Sequence, residues 1–363
     1  MASTLELVLL YLVAAVGGVV VCRSLKLPPM LGYLAVGVLI GPNALALAKD
    51  SGGVRYLAEF GVVFLMFVIG LEFNLPKLRS MRTLVFGLGL SQVLVTVAGT
   101  LLGHALLVLT YHWVFAGQWQ MSWQGAIVLG SAMAMSSTAI VVKLMAERLE
   151  LDSEHGRRVL GVLLFQDLAV VPLLVLIPSL GQAGGDLAYA MGLALVKAAV
   201  LLTLLLVGGQ RVMRWWLTLV ARRKSAELFM LNLLLVTLGL AWMTENAGLS
   251  MALGAFVAGM LVAETEYKHQ VETDIRPFHD VLLGLFFITI GMKLDWRPVL
   301  DQWLLVLLLT CVPVLAKFVL VAALARLFRA TPGTALRTGL YLAQAGEFGF
   351  VLLTLGAEHG LEI

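Results

Sequence analysis

In the run LLFQDLAVVP, residues 163–172, an amide and a carboxylate, Gln166 and Asp167, stand inside an otherwise apolar segment. Asp167 follows Arg158, where that segment starts, by nine positions. At about 1.5 Å per helical residue this is about 13 Å, near the centre of a ~30 Å hydrocarbon layer. A carboxyl group at such depth is expensive and normally faces a cavity or a partner. Its available chemistry is to hold either a proton or a cation. The plain alternative is a carboxyl, neutral or salt-bridged, that fixes helix packing. The segment before it, GSAMAMSSTAIVVKL, sets Ser136, Ser137 and Thr138 side by side. Three adjacent hydroxyls compete with the helix ladder and offer free oxygens if the helix unwinds there; small-residue packing is the alternative. A third segment, LAQAGEFGFVLL, supplies Gln344, Gly346, Glu347 and Gly349, and glycines beside a carboxylate point to a broken helix lining a cavity. Lys317, in VPVLAKFVLVAAL, lies near the middle of its run. It could snorkel to an interface, but its central position favours a role as counter-charge.

The elements that must carry these residues are membrane helices. Of 363 residues, 60% are hydrophobic and 13% charged, whereas a soluble chain carries roughly 25% charged residues. Apolar runs of about 20 residues recur throughout. They predict about twelve spans, at 4–22, 29–47, 54–72, 83–109, 121–142, 159–180, 186–209, 226–244, 249–263, 278–292, 299–325 and 338–357. No polar stretch is long enough for a separate soluble domain, so residues 1–363 read as one transmembrane domain. Alternation of the loops places nineteen of the 25 Lys and Arg on one side and only Lys49, Arg55, Lys293 and Arg297 on the other. By the positive-inside rule the richer side is cytoplasmic and the N-terminus faces outward. Twelve spans then leave the C-terminus outside too, which predicts a chain lacking at least one further helix. The start MASTLELVLL has no basic leader, so the first run is read as a retained helix.

A repeat runs through these spans. Leu31, Gly32 and Gly37 recur as Leu253, Gly254 and Gly259, 222 positions on, and Gly70 recurs as Gly291, 221 positions on. The offset covers an odd number of helices, so the copies cross the membrane in opposite senses. Inverted repeats of this kind are typical of secondary transporters with midplane substrate sites. The Ser136–Thr138 and Gly346–Gly349 interruptions correspond at an offset of about 210, and paired discontinuous helices are the best sequence pointer to a transport site.

Other classes find little support. GLGLSQ, residues 87–92, lacks the third glycine of a dinucleotide-binding loop and sits in a membrane run. The net charge of +3 resides in loops and does not indicate nucleic acid. The six histidines lie mostly at span ends without ligand spacing, and no nucleophile–base pair points to an enzyme. Cys22 and Cys311 lie in or beside apolar runs, away from any disulfide framework.

The blocks LGYLAVGVLIGP, FGVVFLMFVIGLEF, SSTAIVV, LLFQDLAVVPLL, SMALGAFVAGMLVAE, LLGLFFITIGM and LAQAGEFGF resemble the Kef-type potassium/proton antiporters of the cation:proton antiporter-2 family, over residues 28–355. The resemblance implies an all-α inverted-repeat fold of thirteen helices, with a dimerising scaffold and a mobile core carrying two crossed, discontinuous helices. The thirteenth helix and a C-terminal nucleotide-binding regulatory domain would then be absent from this chain. By the same resemblance Gln166 and Asp167 form the ion site, Ser136, Ser137 and Thr138 lie on the first crossed helix, and Glu347 is the acid of the second. KHQVETD, residues 268–274, resembles an acidic cytoplasmic loop that mediates gating by the regulatory domain, through Lys268, His269, Glu272 and Asp274. It departs from the best-known pattern, which counts against glutathione-type gating; nucleotide or glutathione regulation would come through the missing C-terminal domain.

The reading that follows is a homodimeric monovalent cation/proton antiporter of a prokaryotic inner membrane, exporting K⁺ against inward H⁺ with no bound cofactor. Proton and K⁺ compete at Asp167, while Gln166 and the oxygens near Ser137 replace part of the ion's water. A Na⁺/H⁺ antiporter and a ligand-gated K⁺ channel are the rival readings.

Overall fold

The computed structural model describes residues 4–25, 29–47, 52–72, 80–115, 121–181, 192–193, 196–197, 200, 203, 208–247 and 249–362. All regular structure among them is helical. In chain order the α-helices are α1 (Thr4–Ser24), α2 (Pro29–Ile40), α3 (Gly52–Glu72), α4 (Leu90–Phe115, entered through a π-helical turn, Leu84–Gly89), α5 (Trp123–Ala134), α6 (Thr138–Glu147) and α7 (Glu154–Leu180). They continue as α8 (Gln210–Ala221), α9 (Ala226–Asn246), α10 (Met251–Ala263), α11 (Lys268–Lys293), α12 (Trp296–Asp301), α13 (Trp303–Leu327), α14 (Pro332–Leu342) and α15 (Glu347–Glu358). Only helices or closed barrels satisfy every backbone polar group inside lipid, which is why so apolar a chain takes this form. Among the described residues, Leu84–Thr110, Glu154–Leu180, Ala226–Asn246 and Trp303–Leu327 are long and apolar enough to cross a membrane. The pair Lys268–Phe278 and Asp280–Lys293, bent by 43°, meets the test together.

The chain divides into two compact units. The first comprises Met1–Glu72, Leu205–Ala247 and Gly254–Leu307. Here α11 is the central element, packed on α2, α3, α1 and α9, with Tyr11, Val36, Ile40, Ile288 and Met292 buried together. Its contacts repeat. A side chain on Gly37 would strike the Ile288 carbonyl and lie 2.9 Å from the Gly291 Cα; one on Gly259 would strike the Phe67 carbonyl and lie 2.9 Å from the Gly70 carbonyl carbon. Gly291 abuts the Leu34 carbonyl as Gly70 abuts that of Phe256, and Gly32 abuts the Gly18 carbonyl as Gly254 abuts that of Leu240. Every matched pair is 221 or 222 positions apart. The α2–α11 contact is thus reproduced as α10–α3, and α1–α2 as α9–α10. Glycine is required at these points because real Cβ atoms do not approach other atoms so closely.

The second unit comprises Phe73–Leu204, Gly248–Leu253 and Leu308–Ile363. Its central element is α7, packed on the π-helical turn, α4, α5, α6, α14 and α15. Leu88, Val141, Met145, Val159, Val162, Leu163, Val321, Leu324 and Leu342 form its core. Helix starts are set by local chemistry. The Ser122, Ser137, Ser153 and Thr331 hydroxyls accept from the N–H groups of Gly125, Ile140, Gly156 and Thr334, and Pro332 opens α14.

The structure bears on the expected spans and on one expected loop. The spans expected at 121–142 and 338–357 are each two short helices, α5–α6 and α14–α15. Most of the span expected at 186–209 lies outside the described residues. Residues 268–274, expected as a loop, are instead the first turns of α11. Val271 and Ile275 are both buried there, an i, i+4 pair whose burial favours a helix. His269 and Glu272 lie exposed on α11, 3.8 Å apart, and Lys268 and Asp274 are half-buried.

Candidate functional site

Two helix breaks meet in the second unit. Met135, Ser136 and Ser137 separate α5 from α6, and residues 343–346 separate α14 from α15. The breaks touch: the Gly346 N–H donates to the Met135 carbonyl at 3.2 Å, and a side chain on Gly346 would lie 2.7 Å from the Ser136 carbonyl carbon. The Ser136 hydroxyl donates to the Leu342 carbonyl at 3.1 Å, and the Ser137 N–H donates to Gln344 Oε1 at 3.1 Å. Ser136 and Ser137 are buried. The hydroxyl run and the glycine therefore mark true interruptions, as their residue types imply.

Each break exposes helix ends, whose partial charges are negative at the C-terminus and positive at the N-terminus. Lys317, buried on α13, lies at the two negative ends: its Nζ donates to the Met135 carbonyl and the Ser136 hydroxyl, each at 2.9 Å, and to the Gln344 carbonyl at 3.0 Å. It meets helix ends rather than reaching towards an interface. At the positive start of α6, the Thr138 hydroxyl donates to Asp167, 3.2 Å from Oδ1 and 3.4 Å from Oδ2. Asp167 is half-buried on α7. Glu347 is the first residue of α15, at the other positive end. An ammonium at two negative ends and the Asp167 carboxyl near a positive one is the pairing electrostatics favours.

Gln166 is placed otherwise than the sequence led us to expect. Its Oε1 accepts from the Ser136 N–H at 2.8 Å, so that oxygen faces the break. Its Nε2 donates to Gln92 Oε1 at 2.8 Å and lies 3.4 Å from the Ser136 hydroxyl. Gln92, on α4, is fully buried; its Nε2 donates to the Ala134 carbonyl and to Thr96 Oγ1, each at 3.1 Å. Sequence reasoning missed this residue, although an amide inside an apolar run was itself a signal.

At the end of α6, outside the spans, Glu150 accepts from the Tyr341 hydroxyl at 2.6 Å and lies 3.1 Å from His155 Nε2. His155 is buried and stacks on Tyr341. These bonds, the tyrosine's first and the histidine's next, hold the Glu150 carboxyl below its ordinary pKa.

An arrangement with one carboxyl group and one hydroxyl beside the start of a broken helix can hold a proton or a monovalent cation. Comparison with known proteins agrees with that chemistry. The family model described as sodium/hydrogen exchanger, transmembrane, matches residues 9–362. Two chloroplastic K(+) efflux antiporters of Arabidopsis thaliana, 1 and 2, are each 46% identical over 340 residues, 92% of this chain and 28% of theirs. A putative K(+) efflux antiporter KefB of Alkalimonas amylolytica is 42% identical over 343 residues, 94% of this chain and 50% of its own. The chain thus spans half or less of the length of these relatives. Among solved structures, the sodium proton antiporter MjNhaP1 of Methanocaldococcus jannaschii at pH 8 superposes with a TM-score of 0.56 at 16% identity, over 98% of this chain and 96% of that one. That likeness shows a shared antiporter fold.

Proposed function

Because the chain belongs to the sodium/hydrogen exchanger family, we propose that it is the membrane part of a monovalent cation/proton antiporter that moves K⁺ outward against H⁺. The observation that carries this reading is Asp167, a single carboxyl group bonded by Thr138 at the start of a broken helix. Proton and cation compete for it, and exchange of one for the other moves no net charge. Potassium as the cation is supported by the names of the relatives, each a K(+) efflux antiporter. Sodium is the second reading, supported by the family description. The protein acts as a homodimer in a prokaryotic inner membrane with its N-terminus outward, and carries no catalytic chemistry of its own.

Vesicles containing the purified chain and a pH dye, challenged in turn with K⁺, Rb⁺, Na⁺ and Li⁺, test the reading. K⁺ and Rb⁺ should dissipate a proton gradient, and Asp167→Asn should abolish this while leaving the protein inserted and folded. A response to Na⁺ alone would favour the second reading. Cation flux without proton movement, or full exchange by Asp167→Asn, would defeat both.

A further inference from the structure

Between α5 and α6 four backbone groups lie at the break, the carbonyls of Ala134 and Met135 and the N–H groups of Ser136 and Ser137. Each finds a partner from elsewhere in the second unit: Gln92 for Ala134, Lys317 and Gly346 for Met135, Gln166 for Ser136 and Gln344 for Ser137. Two of these five partners are linked to each other, through the Gln166–Gln92 amide bond.

That link has a direction. A backbone carbonyl only accepts and a backbone N–H only donates. The Ala134 carbonyl therefore fixes the NH₂ end of Gln92, at 3.1 Å. The Gln92 oxygen is then turned to Gln166, and accepts from its Nε2 at 2.8 Å. This leaves the Gln166 oxygen for the Ser136 N–H, also at 2.8 Å. Turning over either amide would set donor against donor or acceptor against acceptor, in a place where neither can reach water: Gln92 is 0% and Gln166 1% exposed. Thr96 completes the set, accepting the second Gln92 N–H bond and donating to the Gln92 backbone carbonyl at 2.7 Å. The π-helical turn just before Gln92 packs on α7 through Gly89 and Phe165, which places the amide beside α7.

We propose that Gln92 is a positioning residue for ion exchange: acting through Gln166, it holds Ser136 and so sets the start of α6, where Thr138 meets Asp167. The proposal rests on the exchange reading above. It commits the Gln166 oxygen to the backbone and removes it from the ligands of the transported ion. Cation selection then belongs to Asp167, Thr138 and the unwound backbone.

Because the link is directional, a change of chemistry without a change of size tests it. The carboxyl introduced by Gln92→Glu fills both roles only when neutral, its O–H donating to Ala134 and its carbonyl accepting from Gln166. Ionised, it sets oxygen against the Ala134 carbonyl oxygen. Exchange in vesicles and, separately, thermal unfolding in detergent are followed from about pH 5.5 to about pH 8.5 for the parent, Gln92→Glu and Gln92→Leu. Gln92→Glu should come close to the parent at the acid end, lacking only the second bond, to Thr96. At the alkaline end it should fall reversibly to the level of Gln92→Leu, whose cation KM should lie about tenfold above the parent's. The thermal midpoint of Gln92→Glu should drop against the parent over the same interval. Curves for Gln92→Glu that run parallel to the parent's in both measurements would overturn the proposal, since a residue that only fills space is indifferent to this change. If Gln92→Leu fails to insert, the single Gln92→Glu preparation still decides by its own pH dependence. If the parent exchanges no cation, the exchange reading fails, and the unfolding curves still decide whether Gln92 holds the break.

Discussion

Around Gly37, Gly70, Gly259 and Gly291, helices of the first unit meet backbone against backbone, and what brings them together is the absence of side chains. Around Ser136 and Gly346, helices of the second unit also approach through a glycine, but the surrounding contacts are hydrogen bonds from Lys317, Gln92, Gln166 and Gln344. At these glycine contacts the first unit's helices are unbroken, the 43° bend of α11 lying elsewhere, between Phe278 and Asp280, and close packing is the demand that remains. In the second, two helices are interrupted, and the freed groups at the first break are met mostly by side chains, with the Gly346 N–H joining Lys317 at the Met135 carbonyl. The comparison teaches that polar residues inside an apolar chain need not all touch the substrate. Several are there because a helix has been opened.

The comparison can be broken most forcefully at Lys317. Lys317→Met keeps length and apolar bulk but removes the donor to the Met135 and Gln344 carbonyls. The Met135 carbonyl keeps the Gly346 N–H, but the Gln344 carbonyl loses this donor; an unmet acceptor costs about 1–3 kcal/mol, so exchange should be lost and the thermal midpoint in detergent should fall clearly. A variant that melts like the parent would mean the break is not held by this lysine.

Next in size are the glycine contacts. Gly37→Ala and Gly259→Ala each push a methyl group into a facing carbonyl, of Ile288 and of Phe67, and overpacking of this kind costs about 1–3 kcal/mol. Because the two contacts are repeats of each other, the two losses of thermal stability should be similar. A large cost at one and none at the other would show that the repeat is one of sequence alone.

The smallest effect is expected at Tyr341. The Glu150 carboxyl is held below its ordinary value by Tyr341 and then His155. A carboxyl so depressed contributes stability that is present above its unfolded pKa and lost as pH falls through its folded one. Tyr341→Phe should therefore lower the thermal midpoint slightly at neutral pH, and the difference should vanish in acid. A difference that stays constant across that range would assign the effect to packing against His155.

Much of the second unit could be read in advance. SST at 136–138 and the glycines around Glu347 declare interruptions because those residue types weaken a helix, and the structure opens both helices there. The repeat was legible too, since glycines at a fixed offset are rare where apolar side chains would serve as well. What could not be read was which way Gln166 turns. Its orientation depends on Gln92, 74 positions away, and a sequence does not reveal which amide end a distant carbonyl will demand. The first turns of α11 were hidden for a different reason: KHQVETD has the charge of a loop, and only Val271, in register with Ile275, ties it to a buried face.

Gln166 and Asp167 are neighbours in the chain but do different work, one serving the frame and the other facing Thr138. Adjacent residues on a helix point about 100° apart, so the division between them is a matter of phase. An insertion of a single residue in α7 between Arg158 and Gln166 would turn Gln166 to where Asp167 faced, and a deletion would turn Asp167 to where Gln166 faced; either way the division is lost. This stretch should accordingly accept changes of side chain far more readily than changes of length.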